Sequence, residues 1–292
     1  RRRLTARGEA HSSRAMSHRF EGKVVVITGA SAGIGAAAAR QFAAEGAAVA
    51  LAARSAAPLE ALAAELGRDG GRALAVPTDV GHPQSATRLL AHVAERFGGI
   101  DVLVNNAGAN KRGPIERYTP EELAGVVQVN LTAPIVLTRL VLPYLRVRGR
   151  GAIVNVASIA GRIPVGHEAV YSATKFGLRA FTFALQEELE GSGITVSAVS
   201  PGPVDTGFIM ENLEEVPDLV FAQPMSTADD VARLILDCAA DGTPERVIPQ
   251  ITGYLATAGY LFPALRSVML PMMERRGKVA KDEYRKRHAA RL

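Results

Sequence analysis

The chain has 292 residues, 48% hydrophobic and 22% charged, with no Trp and no periodic or low-complexity tract; that excludes an array, a fibre or a disordered protein and leaves room for a substantial core. One cysteine, Cys238, excludes a disulfide framework, and its apolar helical surroundings read as core. The net charge of +5 does not describe a nucleic-acid groove, because the ends carry it: residues 1–19 hold six Arg and one Glu, residues 274–292 hold eight Lys/Arg and three Asp/Glu, and the body between them is acidic.

Residues 1–19 are rich in Arg and Ser, lack the apolar stretch of a signal peptide and are expected to be disordered. They read either as a transit-type leader or as sequence preceding a start at Met16. Val24, Val25, Val26 and Ile27 then form an uninterrupted apolar run, the pattern of a strand buried on both faces of a parallel sheet. Glycines follow at 29, 33 and 35, and an alanine-rich helix begins where they end. Strand, glycine turn and helix suit a dinucleotide site, since glycine lets main chain approach a ligand and unpaired amides at a helix N-terminus hold a pyrophosphate. The spacing G-x-x-x-G-x-G is one residue longer in its first gap than the commoner fingerprint, and a plain glycine turn would read the same by itself.

Residues 47–53 read as a second buried strand with Arg54 at its tip and no carboxylate before Glu60. An acidic tip would bond the ribose 2′-hydroxyl of NAD, whereas a guanidinium suits the 2′-phosphate of NADP. NADP(H) is therefore favoured, with a solvated loop charge as the alternative for Arg54. A helix over 58–66 and a third strand over 73–76 lead to Asp79, expected to cap a turn or meet adenine. The helix over 83–97 should stop at Gly98-Gly99, with His82 and His92 on the surface.

The short strand over 101–104 runs into Asn105, Asn106, Ala107 and Gly108, where small residues admit a close ligand and the amides stitch the strand end to neighbouring backbone. Thr119-Pro120-Glu121-Glu122 is a strong helix start, and a long helix should run from it toward Tyr144 with Asn130, a poor helix former, in its middle. Residues 152–156 form another buried strand that ends at Ser158, beyond the carboxyl end of the sheet, where chemistry gathers in open α/β folds. Tyr171 and Lys175 stand four apart within the helical stretch 169–190, which puts phenol and ammonium on one face. His167 precedes them and reads as an entrance residue or a solvated loop histidine. Neither a metal-ligand set nor a nucleophilic-serine elbow is present in the sequence.

In order along the chain, Thr28 to Gly35, Asn105-Asn106-Ala107-Gly108 and Tyr171-Ser172-Ala173-Thr174-Lys175 resemble the cofactor turn, the fourth-strand motif and the Y-x-x-x-K signature of the short-chain dehydrogenase/reductase family, over roughly residues 20–250. The resemblance implies a single α/β domain, a doubly wound parallel sheet (Rossmann fold), and a homodimer or homotetramer. It implies a catalytic set of Asn130, Ser158, Tyr171 and Lys175. It also implies a cofactor surface of Gly29, Ser31, Gly33, Ile34, Gly35, Arg54, Asp79, Asn106, Ala107, Gly108, Tyr171 and Lys175, completed by Pro201, Gly202, Val204 and Thr206 after the sixth strand. Hydride would pass between NADP(H) and a carbonyl or secondary alcohol while Tyr171 moves the proton. Lys175 would pull the phenol below its reference value of about 10 and bind ribose, Ser158 would hold the substrate oxygen, and Asn130 would anchor a water that relays protons. A catalytically silent cofactor sensor or scaffold of the same fold is the alternative.

Residues 207–225 lack clean periodicity and read as a mobile lid, with Ile159, Ile163, Val165, Phe208, Ile209 and Met210 expected near an apolar, lipid-like small-molecule substrate. The last strand is expected at 246–249. Residues 251–292 depart from the family pattern, being apolar to Met273 and basic beyond it. This extension reads either as an interfacial helix for an anionic membrane or as a cover for the cleft or a subunit interface. The protein is expected in the cytoplasm, with membrane association through the extension under the first reading.

Overall fold

A computed structural model describes residues 18–68, 70–210 and 213–289. Most of the basic segment expected to be disordered lies outside the described residues; Arg19, at its end, is held by Glu45 and Asp237.

Seven parallel strands form one sheet in the order β3-β2-β1-β4-β5-β6-β7. They are β1 Val24–Thr28, β2 Ala48–Ala53, β3 Arg72–Pro77, β4 Val102–Asn105, β5 Gly151–Val156, β6 Ile194–Pro201 and β7 Glu245–Ile248. The order reverses between β1 and β4, and the crevice at the carboxyl ends of those strands is where open α/β sheets take ligands. All five residues of β1 and all four of β4 are buried, as expected for central strands covered on both faces.

One face of the sheet is covered by α1 (Gly33–Ala44), α2 (Ala56–Arg68) and α8 (Ala228–Asp241), around Ile27, Phe42, Leu51, Leu59 and Ile235. The other is covered by α3 (Pro83–Phe97), α5 (Ala133–Val147) and α6 (Ala169–Glu188), around Leu89, Leu90, Leu137, Leu145 and Ile153. Each such fully buried side chain contributes about 1.5–3 kcal/mol of transfer free energy. Cys238 lies in the first of these cores.

Local chemistry sets the helix ends. Gly98 adopts the left-handed conformation and its amide donates to the Ala94 carbonyl, closing α3. Thr119 and Glu122 form a reciprocal capping box at the start of α4 (Pro120–Val127). The long helix expected through Asn130 is interrupted there: residues 128–132 form one π turn between α4 and α5, with the Ala133 amide reaching back to Gln128. Asn130 lies buried inside this turn, and single π turns are frequent at functional sites.

After β6 the chain makes the short α7 (Gly207–Met210) and two 3-10 turns, Leu213–Glu215 and Asp218–Ala222. The extension forms two helices, α9 (Gln250–Leu261) and α10 (Pro263–Ala289). Helix α9 turns its small residues Gly253, Ala256 and Gly259 inward and exposes Ile251, Tyr254, Leu255, Tyr260 and Leu261.

Candidate active site

The glycine turn and the fourth-strand motif are built as one piece. The Thr28 hydroxyl accepts from the Asn106 and Ala107 amides at 3.0 and 3.1 Å, and the Asn106 side chain donates to the Thr28 and Gly29 carbonyls. Gly29 has φ +66°, and a Cβ on it would lie 2.9 Å from the Ala107 Cα. A Cβ on Gly35 would sit 2.2 Å from the Gly29 carbonyl oxygen. Only hydrogen fits at either position.

Helix α1 starts above this turn with no side-chain cap and no acidic residue in its first turn, so its first amides are open to an anion. The cleft beside it encloses about 560 Å³ and takes in Gly29, Ser31, Gly33 and Ile34 from the turn, Arg54 from the tip of β2, and Asp79. Arg54 is exposed and makes no hydrogen bond or ion pair with the described residues. Asp79 does cap a turn, its Oδ1 accepting from the Gly81 amide at 2.9 Å. These groups fit a dinucleotide with a terminal phosphate: a cradle that a Cβ would fill, free helix amides, and an unpaired guanidinium at the far end.

At the other end of the same cleft, β5 delivers Ser158 and α6 delivers Tyr171 and Lys175. The Ser158 hydroxyl accepts from the Ala160 amide at 3.1 Å and faces the Tyr171 phenol. The Lys175 ammonium is buried, donates to the Val156 carbonyl at 2.8 Å and lies 5.6 Å from the Tyr171 ring centre. Asn130 stands behind them. Its Oδ1 accepts from the Ala109 amide and its Nδ2 donates to the Ala109 carbonyl, both at 2.8 Å, and to the Thr174 hydroxyl at 3.1 Å. The π turn thus ties the loop after β4 to the residue preceding Lys175.

The electrostatics correct one expectation. Tyr171 is pushed up to about 12, first by burial and next by the Glu168 carboxylate, with the Ser158 contact and the Arg112 charge opposing. Lys175 does not pull it down; burial loosens the lysine's own proton, to about 8. At neutral pH the phenol keeps its proton.

Pro201 at the end of β6 and Gly202, Pro203, Val204 and Thr206 after it complete the cleft, together with Asn106, Ala107 and Gly108. Of the apolar residues expected near a substrate, Ile159, Val165, Phe208 and Ile209 line it, whereas Ile163 and Met210 do not. His167 is exposed and does not line it.

The sequence reading missed Arg112, Glu168, Val216, Val220 and Gln223, all of which reach the cleft. Arg112 and Glu168 are a buried pair at 2.9 Å; Arg112 also donates to the Phe208 carbonyl at 3.0 Å and lies over the Phe208 ring. Their 56-residue separation left no sequence signal beyond a lone acid three residues before Tyr171.

A family model described as short chain dehydrogenase matches residues 23–217. The ketoacyl reductase HetN of a Nostoc species is 38% identical over 230 residues, 78% of this chain and 79% of that protein. A 3-oxoacyl-(acyl-carrier-protein) reductase of a Synechocystis species is 36% identical over 225 residues, 75% of this chain and 91% of that protein. Among solved structures, a short chain dehydrogenase from Burkholderia cenocepacia in complex with NADP has a TM-score of 0.72 and 34% identity, covering 79% of this chain and 97% of its own. A metagenomic short-chain oxidoreductase in complex with NADP has a TM-score of 0.68 and 33% identity, covering 79% and 98%.

Proposed function

The chain belongs to the short chain dehydrogenase family and is an oxidoreductase of that family, and from that premise we propose that it reduces the ketone of a 3-oxoacyl thioester, or a similarly apolar carbonyl, with NADPH. The observation that carries the proposal is one cleft with an unpaired Arg54 at one end and Ser158, Tyr171 and Lys175 at the other. The names of the ketoacyl reductase relatives and the NADP-bound neighbours support the same reading.

The cofactor, when bound, supplies the hydride. The turn amides and Arg54 hold its phosphates, and Lys175 reaches its ribose. Ser158 hydrogen-bonds the substrate oxygen and orients the carbonyl. Tyr171, held as a phenol by burial and Glu168, gives its proton to that oxygen as charge develops there. Lys175, beside the Tyr171 ring, is the cation nearest the phenolate left behind, and Asn130 would anchor the water that returns its proton. Ile159, Val165, Phe208, Val216 and Val220 receive the apolar part of the substrate.

The enzyme works on a small molecule in the cytoplasm, as a homodimer or homotetramer, without nucleic acid. The exposed apolar face of α9, with Ile251, Tyr254, Leu255 and Leu261, followed by the exposed Arg275, Arg276 and Lys278 of α10, supports a second role as a peripheral contact to an anionic membrane. Flotation on anionic vesicles, with retention lost in Tyr254→Ser/Leu255→Ser, tests it. The activity itself is tested by NADPH oxidation with acetoacetyl-CoA. Turnover supports the reductase; tight NADPH binding without turnover on thioesters, ketosteroids and aldehydes supports the silent sensor.

A further inference from the structure

Helices α9 and α10 lie beyond the residues matched by the family model, yet α10 packs behind one wall of the cleft, against residues 213–222. Lys281 is the clearest sign. A buried lysine must be paired or its ammonium loses its hydration uncompensated. This one is 7% exposed and donates to the Val216 carbonyl at 2.7 Å and the Glu214 carbonyl at 3.2 Å, with the Asp218 carboxylate at 3.4 Å. All three partners belong to residues 213–222, the stretch whose Val216 and Val220 line the cleft.

The rest of that face of α10 is shaped for the same stretch. A Cβ on Gly277 would lie 1.9 Å from the Asp218 carbonyl oxygen, so glycine lets the two main chains touch. Tyr284 packs its ring against Phe221 in a tilted contact, centroids 5.8 Å apart, and Ala280 and Tyr284 close a small apolar cluster of Ile209, Val216 and Phe221. Arg285 grips the Glu214 carboxylate with Nε at 2.8 Å and Nη2 at 2.7 Å. Turns of 3-10 type have few internal hydrogen bonds, so residues 213–222 depend on these contacts for their shape.

We propose that α10 is a clasp that completes the substrate site, with Lys281 as a positioning residue that fixes Val216 and Val220 against the substrate while leaving the cofactor end untouched. The substrate end of this proposal rests on the reductase reading; the ordering of 213–222 does not.

The test uses the full chain and Lys281→Gln, with three readouts: hydrogen exchange of the amides in 213–222, NADPH affinity, and KM and kcat for acetoacetyl-CoA. The clasp predicts exchange at least about tenfold faster over 213–222 in the variant, a KM raised about five- to tenfold, kcat changed less, and an unchanged NADPH Kd. Exchange and KM equal to those of the wild type would overturn it, as would a loss confined to kcat. Should Lys281→Gln fail to fold, Arg285→Gln removes only an exposed grip and should speed exchange over the same peptide by a smaller factor; no change there would overturn the clasp. A wild-type chain that binds NADPH but reduces neither acetoacetyl-CoA nor the ketosteroids and aldehydes contradicts the reductase reading, and the exchange measurement still decides the clasp.

Discussion

On the cofactor side of the cleft the surface is main chain and small side chains, Gly29, Gly33, Ala107 and Gly108, with the expected cofactor residue Gly35 buried behind them and the turn locked by Thr28 and Asn106. On the substrate side it is large side chains brought from distant parts of the chain, with Arg112, Glu168, Phe208 and Val216 converging and Lys281 holding Val216 from behind. The first side has no slack, because its fit depends on atoms that are missing; the second is held by a few charged tethers that can be cut one at a time. The fold thus keeps its cofactor geometry rigid and leaves its substrate geometry adjustable through contacts far from the chemistry.

That contrast can be broken by overfilling the rigid side. Gly35→Val puts a Cβ 2.2 Å from the Gly29 carbonyl oxygen and 2.7 Å from the Asn106 Nδ2, where backbone must move. NADPH affinity should fall by at least about a hundredfold, or about 2.7 kcal/mol, in a fluorescence titration.

The next effect runs toward stability. Lys175 holds its charge against a burial cost that lowers it to about 8, so the unfolded chain binds the proton more tightly between that value and the lysine reference. Stability should therefore rise from about pH 8 to about pH 10, and Lys175→Met should abolish turnover at neutral pH while stabilising the fold by up to about 3 kcal/mol. A Lys175→Met chain that melts below the wild type at pH 7 would contradict this.

Arg54→Ala sharpens the comparison at the far end of the cleft, where an unpaired side chain and not a glycine turn lines it. NADPH binding should weaken about thirtyfold, about 2 kcal/mol, and NADH binding should not change. Equal losses would mean that Arg54 does not read the phosphate. The smallest effect is expected at Arg112→Lys, which keeps a charge for Glu168 but loses the fork that also holds the Phe208 carbonyl. Substrate KM should rise about fivefold at constant NADPH affinity.

Legibility in the sequence followed the same division. The buried run 24–27, the glycines after it, the Tyr171–Lys175 spacing and Arg54 at a strand tip are local signals, and the structure brings Gly29, Gly33, Arg54, Tyr171 and Lys175 to one cleft. The π turn at Asn130 was hidden because one extra residue in a helix leaves the apolar pattern nearly intact. Arg112–Glu168 and Lys281–Val216 were hidden because they pair residues 56 and 65 apart, with no periodicity to announce them. The direction of the Tyr171 shift was misread for a related reason. A neighbouring lysine is visible in the sequence, whereas burial and the approach of Glu168 exist only in the fold.

The central claim is that Tyr171, kept as a phenol, is the proton donor of a carbonyl reductase, and the most direct measurement is single-turnover NADPH oxidation with acetoacetyl-CoA by Tyr171→Phe beside the wild type. The account predicts a loss of at least about 10³-fold in the rate with NADPH affinity and melting temperature unchanged, since only a hydroxyl is removed. A rate within a few-fold of the wild type would contradict it.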